Sequence, residues 1–254
     1  MTAVAARPTA LAGLLRSMAD DEFVIGFSDS EWTGIAPILE EDIAMSSLSQ
    51  DELGHAAALY GLLATLEDGD ADALAYDRGP ADFRHARLLD HGRGDWAMTI
   101  ARRYLYETAD AVRLAAVGDG AWPPLTELAG KIAREERYHV AHVELWLDRL
   151  ARADGEPRDR LVAALTALGP DAGTVFGPLP DEAGLVADGL LDAPMEVLET
   201  RWRATIEPRL RGLGLPVPPP TRDRDTSRTV HDPAFTELWS MITSVRRSDP
   251  GATW

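Results

Sequence analysis

A glutamate and a histidine three residues apart occur twice in the chain, as Glu52 with His55 and as Glu136 with His139. Residues i and i+3 lie on the same face of a helix, so each Glu-x-x-His pair would present two ligands together. Carboxylate and imidazole donors suit iron or manganese, and the chain has no cysteine for a thiolate site. The pattern therefore predicts metal chemistry if the two pairs face each other.

A further glutamate precedes each pair by the length of a helical hairpin. Glu22 lies 30 residues before Glu52, and Glu107 lies 29 residues before Glu136. Across a turn, a residue that far back can return to the same level on an antiparallel neighbour, so the chain repeats one hairpin. Four glutamates and two histidines form the ligand set of ferritin-like di-iron and di-manganese carboxylate proteins. The predicted metal ligands are Glu22, Glu52, His55, Glu107, Glu136 and His139, with one bridging glutamate from each pair.

The alternative is a coincidence on helices that are rich in glutamate. Four carboxylates in an apolar core would be prohibitive without cations or compensating protons, which favours a metal site. A site that has lost its metal, and whose residues are held by protons or by basic partners, remains the second alternative.

Two further residues could support the ligands. Asp110 shares a helix face with Glu107 and could orient a ligand histidine through a hydrogen bond. His142, three residues after His139, could do the same, although a surface position is the simpler interpretation.

Several neighbouring residues are expected to have other roles. Asp51 and Glu135 each precede a predicted ligand and are expected to face solvent or a partner. Arg102 and Arg103 are expected on a solvated face, with contact to a substrate phosphate as the alternative. Aromatic packing is expected for the tyrosines of this region, although each could line the site: Tyr104, Tyr106 and Tyr138.

Apolar residues recur at helical spacing through the first 150 residues. Helices are expected at about 10–31, 38–66, 95–117 and 124–151, with a polar crossover at about 67–94 and a turn at "GDGAWPP". Two helix pairs joined by a long crossover predict an all-α, ferritin-like up-down four-helix bundle over about 10–151. Residues 152–254 are expected to add helices and the Pro-rich arm "LPVPPPTRDRDTSR" within a single domain, and the arm is expected to lie across a neighbouring subunit.

Composition limits the classes of partner. A formal net charge of −17 excludes general binding to nucleic-acid phosphates, and the absence of cysteine excludes an iron–sulfur cluster on this chain. Neither a long apolar signal segment nor an 18-residue apolar run is present, so no membrane span and a cytoplasmic location are expected.

Together with the hairpin repeat, several longer stretches resemble the phenylacetate-degradation family of ferritin-like proteins, the subunits of phenylacetyl-CoA epoxidase. The stretches are "EWTGIAPILEEDIAMSSLSQDELGHA", "WAMTIARRYLYETADAVRL", "EERYHVAHVELWLDRL" and "PGATW". The resemblance runs nearly end to end and is closest to the C-type subunit.

The resemblance implies a component of a multisubunit bacterial monooxygenase that epoxidises an aromatic acyl-CoA with O2. Its implied partners are a homologous A-type oxygenase subunit or a second copy of the chain, and a separate reductase as electron donor. In this family the A-type subunit holds two iron ions, whereas the C-type subunit is a scaffold that has lost most ligands.

This chain departs from the C-type pattern because all six ligand positions are filled. Two iron ions are therefore the expected cofactor, with manganese as the alternative. The open alternatives are a C-type chain that kept its site, a non-catalytic scaffold, a stand-alone di-iron oxygenase and an iron-handling protein.

Overall fold

A computed structural model describes residues 8–118 and 122–249 of the chain. Within these ranges it contains ten α-helices and no β-strand, apart from an isolated bridge between Val117 and Leu191. This confirms the expected all-α class and fits a ferritin-like helical bundle.

The helices of the first part of the chain are α1 (Pro8–Ser30), α2 (Leu39–Glu67), α3 (Ala71–Tyr76), α4 (Trp96–Ala115) and α5 (Pro123–Ala151). Those of the second part are α6 (Glu156–Leu168), α7 (Glu182–Ala187), α8 (Met195–Gly212), α9 (Pro233–Ile242) and α10 (Ser244–Ser248). The expected crossover contains α3 and two short 3-10 helices, Pro80–Asp82 and Arg87–Asp90.

Two helical hairpins build the bundle. Helix α1 packs along α2, α4 packs along α5, and α2 also contacts α5. Asp95 caps α4 by accepting a hydrogen bond from the Met98 backbone N–H at 2.9 Å, as its position before the apolar run predicts. Helix α5 begins at Pro123, where the missing N–H costs nothing.

Helices α1 and α4 are enclosed far more completely than α2 and α5. Helices α6 and α8 and the 3-10 segment Gly169–Phe176 pack against α4, while α7 packs against α1. As a result, even charged side chains of α1 and α4 lie in the interior. Helices α2 and α5 keep one side exposed.

The Pro-rich arm contacts its own chain, and its expected position across a neighbouring subunit stays a prediction. The Arg203 guanidinium on α8 donates to the Pro218 carbonyl at 2.7 Å and to the Pro219 carbonyl at 2.5 Å. Thr221 donates to Glu199 of the same helix at 3.1 Å. Proline-rich backbone has free carbonyls, and the arginine satisfies two of them.

No helix within 8–118 and 122–249 is long and apolar enough to cross a membrane. Two parts of the sequence interpretation, the terminal "PGATW" and residues 119–121 of the expected turn, lie outside the described residues.

Candidate metal centre

The structure brings all six predicted ligands together in the interior between the two hairpins. One glutamate comes from α1 and one from α4, and each Glu-x-x-His pair lies on α2 or α5. The most exposed of these six residues retains only 2% of its accessible surface. The fold therefore brings together the six residues that the hairpin repeat predicts to be neighbours, and their role as metal ligands stays a prediction.

The six residues form two overlapping groups, and within each group the donor atoms lie within 4.8 Å of one another. The first group comprises Glu22, Glu52, His55 and Glu136. The second comprises Glu52, Glu107, Glu136 and His139. Glu52 and Glu136 belong to both groups, as carboxylates that bridge two ions would have to.

Each histidine directs its Nδ1 atom into the cluster. His55 Nδ1 lies 3.2 Å from Glu22 Oε2 and 3.4 Å from Glu136 Oε1. His139 Nδ1 lies 3.1 Å from the same Glu136 oxygen and 3.3 Å from Glu52 Oε1. The two Nδ1 atoms therefore approach the same carboxylate oxygen of Glu136 from opposite hairpins.

The outward-facing nitrogen of each histidine meets a carboxylate that was expected to face solvent or a partner. His55 Nε2 lies 2.8 Å from Glu135 Oε2, and His139 Nε2 lies 3.4 Å from Asp51 Oδ2. A carboxylate that accepts from Nε2–H leaves the Nδ1 lone pair free to bind a cation. The sequence could have indicated these two contacts, because a residue next to a predicted ligand on one helix can face the neighbouring helix.

Several buried oxygen and nitrogen atoms that could bind a metal have no hydrogen-bond partner. They are Glu52 Oε2, Glu107 Oε2, both carboxylate oxygens of Glu136 and His139 Nδ1. Buried polar atoms without partners are costly, and converging carboxylate oxygens with an imidazole nitrogen are what iron or manganese would satisfy. The donor set therefore fits a metal.

Burial raises the pKa of every carboxyl group in the centre, but neighbouring groups lower some of these values again. Burial and the nearby Glu52 carboxylate hold the pKa of Glu22 well above its usual value. Burial also holds the pKa of Glu107 well above its usual value, although Arg103 opposes the shift. Burial raises the pKa of Glu52 as well, but hydrogen bonding to its neighbours lowers it well below the usual value.

In the second Glu-x-x-His pair, burial and the neighbouring groups also shift the pKa values in opposite directions. Burial and Glu52 raise the pKa of Glu136, but the proximity of both histidines lowers it to about 2. Burial lowers the pKa of His139, yet the nearby Glu136 and Glu52 carboxylates raise it to about 10. Without a cation, protons are therefore shared among these groups, and metal binding would release them.

Arg102 and Arg103 are fully buried, which corrects their expected place on a solvated face. Arg103 Nη2 lies 2.8 Å from Glu52 Oε1 and contacts Glu107 Oε1, while Nη1 donates to Asp29 at 2.7 Å. Arg102 contacts the other oxygen of Asp29. The helical spacing could have indicated the contact with Glu107, since Arg103 lies one turn before Glu107 on the same face of α4.

The remaining candidates contact other partners. Tyr106 donates its hydroxyl to Glu22 Oε1 at 2.7 Å, so this tyrosine does line the centre. Asp110 pairs with Arg113 rather than with a ligand histidine, and burial raises its pKa to about 6. His142 Nε2 contacts Glu41 at 2.7 Å.

A second compact group with ligand-type side chains consists of His85, Asp90 and His231. These side chains form hydrogen bonds with one another: Asp90 Oδ1 lies 2.6 Å from His85 Nε2 and 3.3 Å from His231 Nδ1. The other Asp90 oxygen accepts from the Asp232 backbone N–H at 2.9 Å. This group ties the C-terminal segment to the crossover.

An all-helical bundle with four glutamates and two histidines at its centre defines the class of ferritin-like carboxylate proteins. The model of one family, described as phenylacetic acid catabolic protein, matches residues 2–254, so the chain belongs to this family. The chain is also similar to the C-type subunit of 1,2-phenylacetyl-CoA epoxidase from Escherichia coli (strain K12), with 26% identity over 239 residues that cover 93% of this chain and 96% of the relative. The resemblance inferred from sequence is confirmed, and it supports a role in phenylacetate catabolism.

Proposed function

We propose that this chain is a metal-binding subunit of a multisubunit epoxidase in phenylacetate catabolism, built as a single ferritin-like domain. At full loading its centre holds two iron ions, with manganese as the alternative. The observation that carries the proposal is the convergence of six buried ligand-type side chains, several with unpartnered donor atoms.

The residues of this chain would hold and orient the metal. Glu52 and Glu136, which belong to both donor groups, would contribute to holding both ions, and the outward hydrogen bonds of His55 and His139 would fix the direction of their Nδ1 atoms. All six side chains are buried, so the bundle would shield a bound metal from bulk water. Bound iron would supply the redox chemistry for transfer of an oxygen atom from O2 to the ring of an aromatic acyl-CoA.

The relative is named as one subunit of an epoxidase, and we extend this to the chain as a proposal about its partners. The proposed partners are a homologous A-type oxygenase subunit, or a second copy, and a reductase that delivers electrons. The proposed location is the cytoplasm.

A structural role for the chain is the second candidate, and one specific observation favours it. The Arg103 guanidinium already neutralises part of the charge of Glu52 and Glu107. A core that is stabilised in this way could persist without metal and still support a catalytic partner subunit.

Metal analysis separates the two candidates. Protein produced in iron-supplemented cells should retain iron through gel filtration, and the Glu52→Ala/Glu136→Ala double variant should lose it. Glu127→Ala, which alters an exposed carboxylate on α5, should retain iron like the wild type. A folded wild-type protein that stays metal-free under iron loading would reject the metal-binding proposal and support the structural role.

A further inference from the structure

Each of the two donor groups, here called the halves of the centre, contains one glutamate that the other lacks: Glu22 in the first and Glu107 in the second. Different side chains contact these two glutamates. Glu22 receives a hydrogen bond from the neutral Tyr106 hydroxyl at 2.7 Å. Glu107, its counterpart in the hairpin repeat, instead contacts the positively charged Arg103 guanidinium. Tyr106 and Arg103 both belong to α4, so one helix supplies a neutral partner to one half and a cation to the other.

Arg103 is held firmly on the side away from the centre. Its Nη1 atom donates to Asp29 Oδ2 at 2.7 Å, and Arg102 contacts the other oxygen of the same carboxylate. Both arginines and Asp29 are fully buried. A guanidinium keeps its proton in proteins, so Arg103 is a fixed positive charge beside Glu52 and Glu107.

Charge balance makes a second ion harder to bind than the first. The charges of Asp29 and Arg102 cancel. The four glutamates together with Arg103 then have a net charge of −3. One divalent ion and one proton neutralise them, whereas two divalent ions would leave a positive charge in the interior. Uncompensated buried charge is strongly unfavourable.

We propose that Arg103 makes the two halves of the centre inequivalent. One ion binds tightly between Glu22 and His55, while the half that contains Glu107 and His139 fills only at high metal concentration. Repulsion by a unit charge a few ångströms away should weaken the second ion on the order of 100-fold or more. This inference rests on the proposed metal-binding function.

Titration of the metal-free full-length chain with Fe(II) under anaerobic conditions tests the inference. Calorimetry and metal content after desalting should show one tight equivalent and a second that is at least about 100-fold weaker. The Arg103→Met variant, which removes the charge and keeps an apolar side chain, should retain nearly two equivalents. Arg103→Lys, which keeps the charge, should behave like the wild type.

A matched pair of variants decides the question even if Arg103→Met does not fold. Glu22→Gln and Glu107→Gln alter equivalent positions of the hairpin repeat, and circular dichroism checks that both stay helical. Glu22→Gln should lose the tight ion, whereas Glu107→Gln should keep its affinity within a few-fold.

Two equally tight ions in the wild type, or equal loss of the tight ion in both glutamine variants, would overturn the inequivalence while leaving the metal-binding function intact. The absence of bound metal from every variant and from the wild type would overturn both proposals.

Discussion

His55 on α2 and Glu135 on α5 are joined by a 2.8 Å contact between Nε2 and Oε2, and the same relationship recurs between His139 on α5 and Asp51 on α2 at 3.4 Å. Each acid directly precedes a glutamate ligand of its own helix and contacts the histidine of the other helix. Each hairpin therefore supports the histidine of the other, and the direction of each Nδ1 atom depends on the opposite helix.

Removal of this support should weaken metal binding without unfolding the bundle. Glu135 is partly exposed, so Glu135→Ala leaves no large cavity, but it frees the His55 ring to rotate. Mutation of such outer partners typically lowers metal affinity about 10- to 100-fold. Fe(II) or Mn(II) titration calorimetry should show this loss, whereas Glu127→Ala on the same helix should titrate as the wild type does. Equal affinity in both variants would show that Glu135 does not position His55.

The fold could be predicted from the sequence because its signals are local or periodic. The apolar period marked the four long helices, Asp95 marked the start of one, and the hairpin repeat predicted that Glu22 and Glu107 would meet the two Glu-x-x-His pairs. Whether these residues hold metal remains a prediction.

The burial of Arg103 could not be predicted in the same way. A basic pair on a helix is ordinarily solvated, but here Arg103 pairs with Asp29 of α1 and Glu52 of α2, which lie far from it in the sequence. The helical spacing places Arg103 beside Glu107, but no local period encodes its contacts with the other helices. The partner of Asp110 was misjudged for a different reason, because Arg113, three residues further along α4, pairs with it.

Asp21 should be essential for stability although it lies outside the candidate centre. It is fully buried, contacts Arg113, lies 3.0 Å from Arg228 and accepts from the Ala86 backbone N–H at 2.7 Å. Asp21→Asn leaves the buried Arg228 guanidinium without the carboxylate that it contacts and leaves Arg113 with Asp110 alone, and breaking a buried pair typically costs about 3–5 kcal/mol.

Urea unfolding followed by circular dichroism should measure this loss. Asp225→Asn, which alters an exposed acid near Arg228 in the chain, should change the free energy of unfolding by less than about 0.5 kcal/mol. Similar midpoints for the two variants would show that the buried arginines find other partners.

The His85 cluster should make the protein less stable in mild acid. Burial lowers the pKa of His85 below its usual value despite the hydrogen bond with Asp90, whose own pKa is lowered to about 2. A histidine whose pKa is lower in the folded state stabilises the protein above the unfolded pKa of about 6.5, and this contribution is lost as the pH falls below that value.

His85→Phe should therefore flatten the pH dependence of unfolding, since the new ring can pack against Phe83 and Phe235 but cannot take up a proton. Between about pH 6.5 and pH 5 the wild type should lose up to about 1.4 kcal/mol per pH unit from this group, and the variant should lose less. Urea unfolding at several pH values provides the measurement. Parallel curves for the two proteins would show that His85 does not titrate differently on unfolding.

The segment before α2 and the first turns of this helix carry an exposed apolar patch that points to an interface. Its side chains are Ile35, Ile38, Leu39 and Ile43, with 46–72% of their surface accessible. Acidic residues flank the patch at 40–42. Contiguous apolar surface of this kind is typical of interaction sites, and the acidic flank favours a partner with basic residues around an apolar contact.

We expect this patch to be covered by the homologous oxygenase subunit. The Leu39→Glu/Ile43→Glu double variant adds charge where a partner would exclude water, so association should fall by at least about tenfold while the helical circular dichroism signal is kept. Light scattering of the full chain, alone and mixed with the A-type subunit, measures the change. Val197→Glu, at an exposed apolar position on α8, serves as the matched control and should associate like the wild type. If the double variant and this control bind the partner equally well, the interface lies on another face of the bundle.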